Sequence, residues 1–192
     1  MVRRIAWLAL LAPVVAFAAA PGFRTPLPKH FTFSAPQSTL EFTATENNVA
    51  VHGHFMRFSG EARLDPAKPG DCSATATIDL ASVASDSENA ADNLKTADWF
   101  DIAHFPQATF EAHGCKYFGS DKLDVYETTG TLTLKGVKQP VTLAFSVTLD
   151  GQRAISELKL SRAAYKVGWA DTGTVADAVG IRIDVHAVPV KD

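Results

Sequence analysis

The residues able to do chemistry are few. His52-Gly53-His54 sets two imidazoles two positions apart, on one face of an extended strand, which is metal-ligand spacing. A zinc site needs a third ligand, and His104 and His113 offer one only by arithmetic. His52 and His54 are therefore weak metal candidates, and no metal is expected. Arg162, three residues before Tyr165, could meet an anionic head group, since a guanidinium suits phosphate or carboxylate. A strand-end arginine is the plainer reading. Phe58-Ser59-Gly60 falls in a strand pattern without a nearby base. The chain has no G-x-S-x-G elbow and no glycine-rich phosphate loop. These features point away from catalysis.

The elements that must position these residues begin after an export-like leader. Met1-Val2-Arg3-Arg4 is basic, Ile5 to Phe17 is almost wholly apolar, and Ala18-Ala19-Ala20 supplies small residues. This is the pattern of a cleaved Sec-type signal peptide over residues 1–18, and it implies a periplasmic protein. The apolar run is shorter than the roughly 20 residues a membrane-spanning helix needs. Residues 19–30, with Pro21, Pro26 and Pro28, read as an extended lead-in, and residues 31–190 as one domain. Loss of Arg3 and Arg4 with the leader, and of no acid, moves the net charge from −3 to −5. Nucleic acid is excluded as a partner, because its phosphates demand clustered Lys and Arg.

Within the domain the dominant signal is alternation with period two. Leu40, Phe42 and Ala44 share one face; Met56, Phe58, Ala62 and Leu64 another; Ala74, Ala76, Ile78 and Leu80 a third. Ala108, Phe110 and Ala112 continue the series, followed by Tyr126, Leu132 and Leu134. Lys135-Gly136-Val137-Lys138 is a hairpin turn into Val141, Leu143, Phe145, Val147 and Leu149. Asp150-Gly151 turns into a strand through Leu158 and Leu160, and Val179 to Ala187 closes the chain. Only Ser87 to Phe100 breaks the pattern: Ala90, Leu94 and Ala97 recur at helical spacing, with Asp86 or Ser87 as cap. The fold class is all-β with one short helix, an antiparallel eight-stranded lipocalin-like barrel. Periodicity alone leaves a two-sheet sandwich open.

Cys72 and Cys115 give two opposed signals. An oxidising compartment favours a disulfide between them. Alternation places Cys72 with the inward residues and Cys115 with the outward ones, on opposite faces unless a bulge or strand end intervenes. The pairing Cys72–Cys115 stays open.

Several segments together resemble the YceI-like family. They are GHFMRFSGEARLD (53–65), ATIDLASV (76–83), LKTADWFDIAHFPQATF (94–110), GTLTLKGVKQPVTL (130–143), LKLSRAAYKVG (158–168) and AVGIRIDVHAVPV (178–190). Each is weak alone; in order they cover nearly the whole domain. The sequence departs from the family's Asp-x-x-His-Ser near the first strand, keeping only Ser38. It also departs from Arg-x-Asp-aromatic-Gly, which here reads Arg162-Ala163-Ala164-Tyr165-Lys166.

The resemblance implies a lipocalin-like barrel whose interior binds a polyisoprenoid or similar long amphiphile. A tunnel would be lined by Phe42, Phe58, Ile78, Phe110, Leu132, Leu143, Phe145, Ile181 and Ile183. Leu94, Trp99 and Phe100 would plug one end, with Arg162 and Tyr165 at the head group. The expected function is non-enzymatic carriage of a long apolar lipid, a quinone or prenyl phosphate, with no cofactor beyond that ligand. A carrier also implies transient contact with a membrane or membrane protein; monomer and homodimer are both open. Three alternatives stand: a fatty acid or fatty amide binder, a zinc hydrolase using His52 and His54, and an adaptor with a dry interior.

Overall fold

A computed structural model describes residues 30–119, 123–148, 151–168, 170 and 173–190. The leader, most of the lead-in, Leu149 and Asp150 of the expected hairpin lie outside them. Among the described residues thirteen strands form one antiparallel sheet. In chain order they are β1 (His30–Ser34), β2 (Thr39–Glu46), β3 (Val49–Phe55), β4 (Phe58–Arg63), β5 (Ser73–Asp79) and β6 (Val83–Ser85). After the helix α1 (Glu88–Lys95) come β7 (Gln107–His113), β8 (Lys116–Gly119), β9 (Leu123–Leu134), β10 (Val137–Thr148), β11 (Arg153–Ser161), β12 (Ala178–His186) and β13 (Val188–Pro189).

The expected count of eight strands is corrected to thirteen, because several runs that alternate as one strand are broken in space. A 3-10 turn at Ala35–Gln37 divides β1 from β2, and another at Leu80–Ser82 divides β5 from β6. Met56-Arg57 interrupts β3 and β4, Gly114-Cys115 interrupts β7 and β8, and Ala187 separates β12 from β13. Met56, expected on an inward face, sits at its break and is 55% exposed. The breaks let the sheet curl: β4, β5, β7, β9, β10, β11 and β12 pair in succession, β12 pairs β2, and β1, which runs into β2, pairs β4. The pairings thus lead back, through the Ala35–Gln37 turn, to the run they started from, and the sheet curls into the wall of a barrel.

Two of the breaks are tied by one buried serine. Ser82 Oγ donates to the Asp79 carbonyl at 2.6 Å and accepts from the Arg57 amide at 3.0 Å. Asp79 accepts from the Ala81 amide at 2.9 Å through one carboxylate oxygen and from Arg57 Nε at 2.8 Å through the other. Backbone groups that leave the ladder at a kink are satisfied in this way.

The parity argument against a disulfide fails at the strand ends. Cys72 and Cys115 are bonded, with Cα atoms 5.8 Å apart. Cys72 follows the 3-10 turn Pro69–Asp71 just before β5, and Gly114, at φ +77°, rotates the chain after β7. The Gly114 amide donates to the Cys72 carbonyl at 2.8 Å and the Cys115 amide to the Pro69 carbonyl at 2.9 Å. A positive-φ residue resets the alternation, so Cys115 no longer shares the outward face of His113.

Candidate functional site

The inward face of the barrel is built from apolar residues that meet across the ladders. Phe42 lies opposite Ile181, Leu40 opposite Ile183, Phe58 opposite Ile78 and Phe110 opposite Leu132. Alternation supplies one such residue every second position, and antiparallel register stacks them into a ring. Three aromatic rings lie over strand glycines: Phe42 over Gly53, Phe33 over Gly60 and Phe110 over Gly130. A Cβ at any of these glycines would meet the ring, so the missing side chains let the phenyl groups lie flat against the wall.

These rings do not fill the interior. A cavity of about 320 Å³ runs through it, within the range of small-molecule sites, and its wall is apolar. All fourteen residues named from the sequence line it: Phe42, Phe58, Ile78, Leu94, Trp99, Phe100, Phe110, Leu132, Leu143, Phe145, Arg162, Tyr165, Ile181 and Ile183. The sequence reading missed Phe31, Phe33 and Phe55 as lining residues. Phe31 and Phe33 alternate in β1, but the turn Ala35–Gln37 shifts the phase, so their odd positions do not continue into the even inward set Leu40, Phe42 and Ala44.

The helical end of the barrel is laced by polar groups. Ser87 Oγ caps α1 by accepting from the Ala90 amide at 3.4 Å. The chain beyond α1 carries Trp99 and Phe100 onto the cavity. Arg162 lies 5.7 Å from the Trp99 ring centroid, a cation–π contact. Its guanidinium donates to the carbonyls of Val167 (3.0 Å), Gly168 (2.6 Å), Val175 (2.6 Å) and Ala176 (3.2 Å). It therefore ties together the loop between β11 and β12. Lys135 Nζ, in the turn between β9 and β10, donates to the carbonyls of Asp98 (2.9 Å) and Lys166 (3.1 Å). Tyr165, 2% exposed, lines the cavity beside these groups, and burial raises its phenol pKa.

The opposite end packs separately around Phe31, Leu64, Cys72, Tyr126 and Val147. The Tyr126 ring stacks on Phe145 at 5.4 Å between centroids. Its phenol pKa is pushed up by burial first and by the charge of Asp124 next.

The histidine pair lies outside this interior. His52 and His54 face outward on β3, along a surface groove with Glu41, Asp86, Glu157 and Arg182. His52 Nδ1 bonds the Thr43 hydroxyl at 3.1 Å, and its amide donates to Asp86 at 3.2 Å. His104 is paired with Asp101 at 2.9 Å. Among the described residues no group of three or more His, Cys, Asp or Glu could hold a metal ion.

Fold and site together define an antiparallel β-barrel, capped by one helix, around an apolar cavity. The YceI-like domain model matches residues 31–187, and the chain belongs to this family. Among its relatives, the UPF0312 protein of Azotobacter vinelandii is 34% identical over 62% of this chain and 57% of its own length. Protein YceI of Salmonella arizonae is 38% identical over 48% of this chain and 47% of its own. The matches thus span about half the length of these curated relatives. Among solved structures, Burkholderia cenocepacia BcnA superposes with a TM-score of 0.70 at 35% identity, over 79% of this chain and 96% of that one. A polyisoprenoid binding domain from Saccharophagus degradans shares the fold, with a TM-score of 0.64 at 17% identity over 85% of this chain and 99% of that one.

Proposed function

We propose that this protein carries a long apolar lipid, a polyisoprenoid such as an isoprenoid quinone, inside its barrel in the periplasm, without catalysing a reaction on it. The observation that carries this reading is the continuous apolar cavity of about 320 Å³. About ten buried methylenes contribute roughly 8 kcal/mol at ~0.8 kcal/mol each, enough for micromolar affinity before ordering costs. Chain length and fit, rather than any charged contact, would then govern binding. The name of the Saccharophagus degradans neighbour supports a polyisoprenoid as first candidate, and the basic-apolar-small pattern of residues 1–20 supports export.

The test is native mass spectrometry of protein purified without detergent from the periplasm, followed by solvent extraction. An added mass that extracts as a prenyl lipid is the expected result and identifies the cargo. A bare mass, together with no uptake of added prenyl lipid or fatty acid, would sink the carrier reading. The same preparation tests export, since the mature protein should begin near residue 19.

A further inference from the structure

The barrel wall is not held equally all round. β9 and β10 pair over twelve positions, and β11 and β12 over nine. β10 and β11 are 12 and 9 residues long, yet they pair over three positions only: Phe145 with Ser156, Ser146 with Ile155 and Val147 with Ala154. Two well-paired hairpins therefore meet at one end and part toward the helical end of the barrel.

Ser156 marks where the ladder stops. Its Oγ donates to the Ala144 carbonyl at 2.8 Å, so a side chain takes the acceptor beside the last pair. In the same register Leu143 would face Leu158 and Val141 would face Leu160, but neither pair forms. Pro140, which has no amide to donate, lies on this stretch of β10, and proline belongs to strand edges. Beyond it, Gln139 Nε2 donates to the Ala164 carbonyl at 3.2 Å and bridges the far end. The open stretch from Ala144 to Pro140 is roughly 14 Å long, at ~3.4 Å per residue.

What closes this slit is apolar. Val141, Leu143, Leu158 and Leu160 pack in one cluster around Phe110 and Ala112, and all four line the cavity. Aliphatic side chains turn between rotamers without breaking a ladder. The two ends of the barrel are held more firmly. Arg162 and Lys135 bind six carbonyls around the cap, and the disulfide and the Tyr126 cluster fasten the other end. From this contrast, and resting on the carrier reading above, we infer that the bound lipid enters and leaves sideways between β10 and β11, with Leu143, Leu158 and Leu160 as the gate. A chain sliding in there reaches the apolar wall without crossing a ladder hydrogen bond. Entry through the cap would instead need Arg162 to release its carbonyls.

The experiment links the two strands and times lipid exchange. Thr142→Cys with Lys159→Cys sets two exposed thiols across the slit, and Thr129→Cys with Thr142→Cys sets them across the paired β9–β10 ladder. Asp98→Cys with Lys166→Cys ties the cap instead, at residues whose carbonyls share the Lys135 ammonium. The native cysteines are bonded to each other, so a short bis-maleimide reaches only the introduced pair. Each linked protein is compared with the same variant capped by N-ethylmaleimide, which separates the link from the substitutions. The readout is transfer of farnesyl anthranilate from the protein to phosphatidylcholine vesicles, followed by stopped-flow fluorescence. Linking across the slit should slow transfer about tenfold and leave affinity unchanged, and the other two links should change neither. Unchanged transfer with the slit linked, or equal slowing by either of the other links, would overturn the lateral route. An unaltered protein that takes up no probe would overturn the carrier reading instead.

Discussion

At the residue scale the interior depends on what is missing as much as on what is present. Gly53 faces Phe42 across the β2–β3 ladder, and a Cβ there would meet both the phenyl ring and the Ala84 carbonyl. Gly53→Val should therefore drive Phe42 into the cavity and destabilise the fold by about 1–3 kcal/mol, read as a lower urea midpoint at unchanged slope. Lipid uptake should fall with it. Arg162 shows a different dependence. Arg162→Ala leaves several half-buried carbonyls without a donor, and a loss of about 2–3 kcal/mol is expected in the same measurement. Arg162→Lys should rescue little, because one ammonium cannot reproduce the planar fork. The sequence marked Phe42 and Arg162 alike as site residues. It could not separate a wall residue from a loop organiser, since the carbonyls that Arg162 holds lie 5 to 14 positions further along the chain.

At the element scale, the disulfide and the β11–β12 ladder are the places to test. Cys72–Cys115 closes a span of 43 residues between the start of β5 and the end of β7. Replacing both cysteines by serine should cost about 2–4 kcal/mol, measured by urea unfolding against the oxidised parent. Arg153 and Asp184 join β11 to β12 by two hydrogen bonds, at 2.8 and 2.6 Å. The bond from Arg153 holds the Asp184 carboxyl below the usual carboxylate range. The folded protein then binds this proton less readily than the unfolded chain does. The stabilisation is complete above the ordinary carboxylate pKa near 4 and is lost as pH falls through the lower folded value. Asp184→Asn should flatten the acid limb of a melting-temperature profile below about pH 4 and leave its slope near neutrality unchanged.

At the scale of the whole molecule, a ligand that enters only the closed barrel stabilises it by mass action. A prenyl lipid at about one hundred times its dissociation constant should add about 2.7 kcal/mol, which for a domain of this size raises the melting temperature by roughly 5–10 °C. A lipid that binds the unfolded chain would instead lower it. Scanning calorimetry across a lipid titration distinguishes the two. The outer groove beside His52 and His54 should contribute nothing to this shift, since it shares few residues with the cavity wall.

The alternation of Ala74 to Leu80 or of Val141 to Val147 is local and physical. Side chains two apart share a face of any strand, so the inward set was legible before any pairing was known. Ser87 to Phe100 was equally legible as the one helical interruption, although only Glu88–Lys95 is helix and the rest is the turn that delivers Trp99. What alternation cannot carry is a change of phase. A single positive φ at Gly114 moved Cys115 off its expected face and joined it to Cys72, and the turn at Met56-Arg57 exposed a methionine counted as inward. Whether the apolar face packed dry or left a cavity was also beyond the sequence. That outcome depends on how the Phe42, Phe33 and Phe110 rings lie over glycines of neighbouring strands, which only the pairing register brings together. The sequence by itself determined which residues share a face within an unbroken strand, because that is a property of each strand alone. The tertiary structure decided what they enclose, because an enclosed volume belongs to the barrel wall and to no single strand.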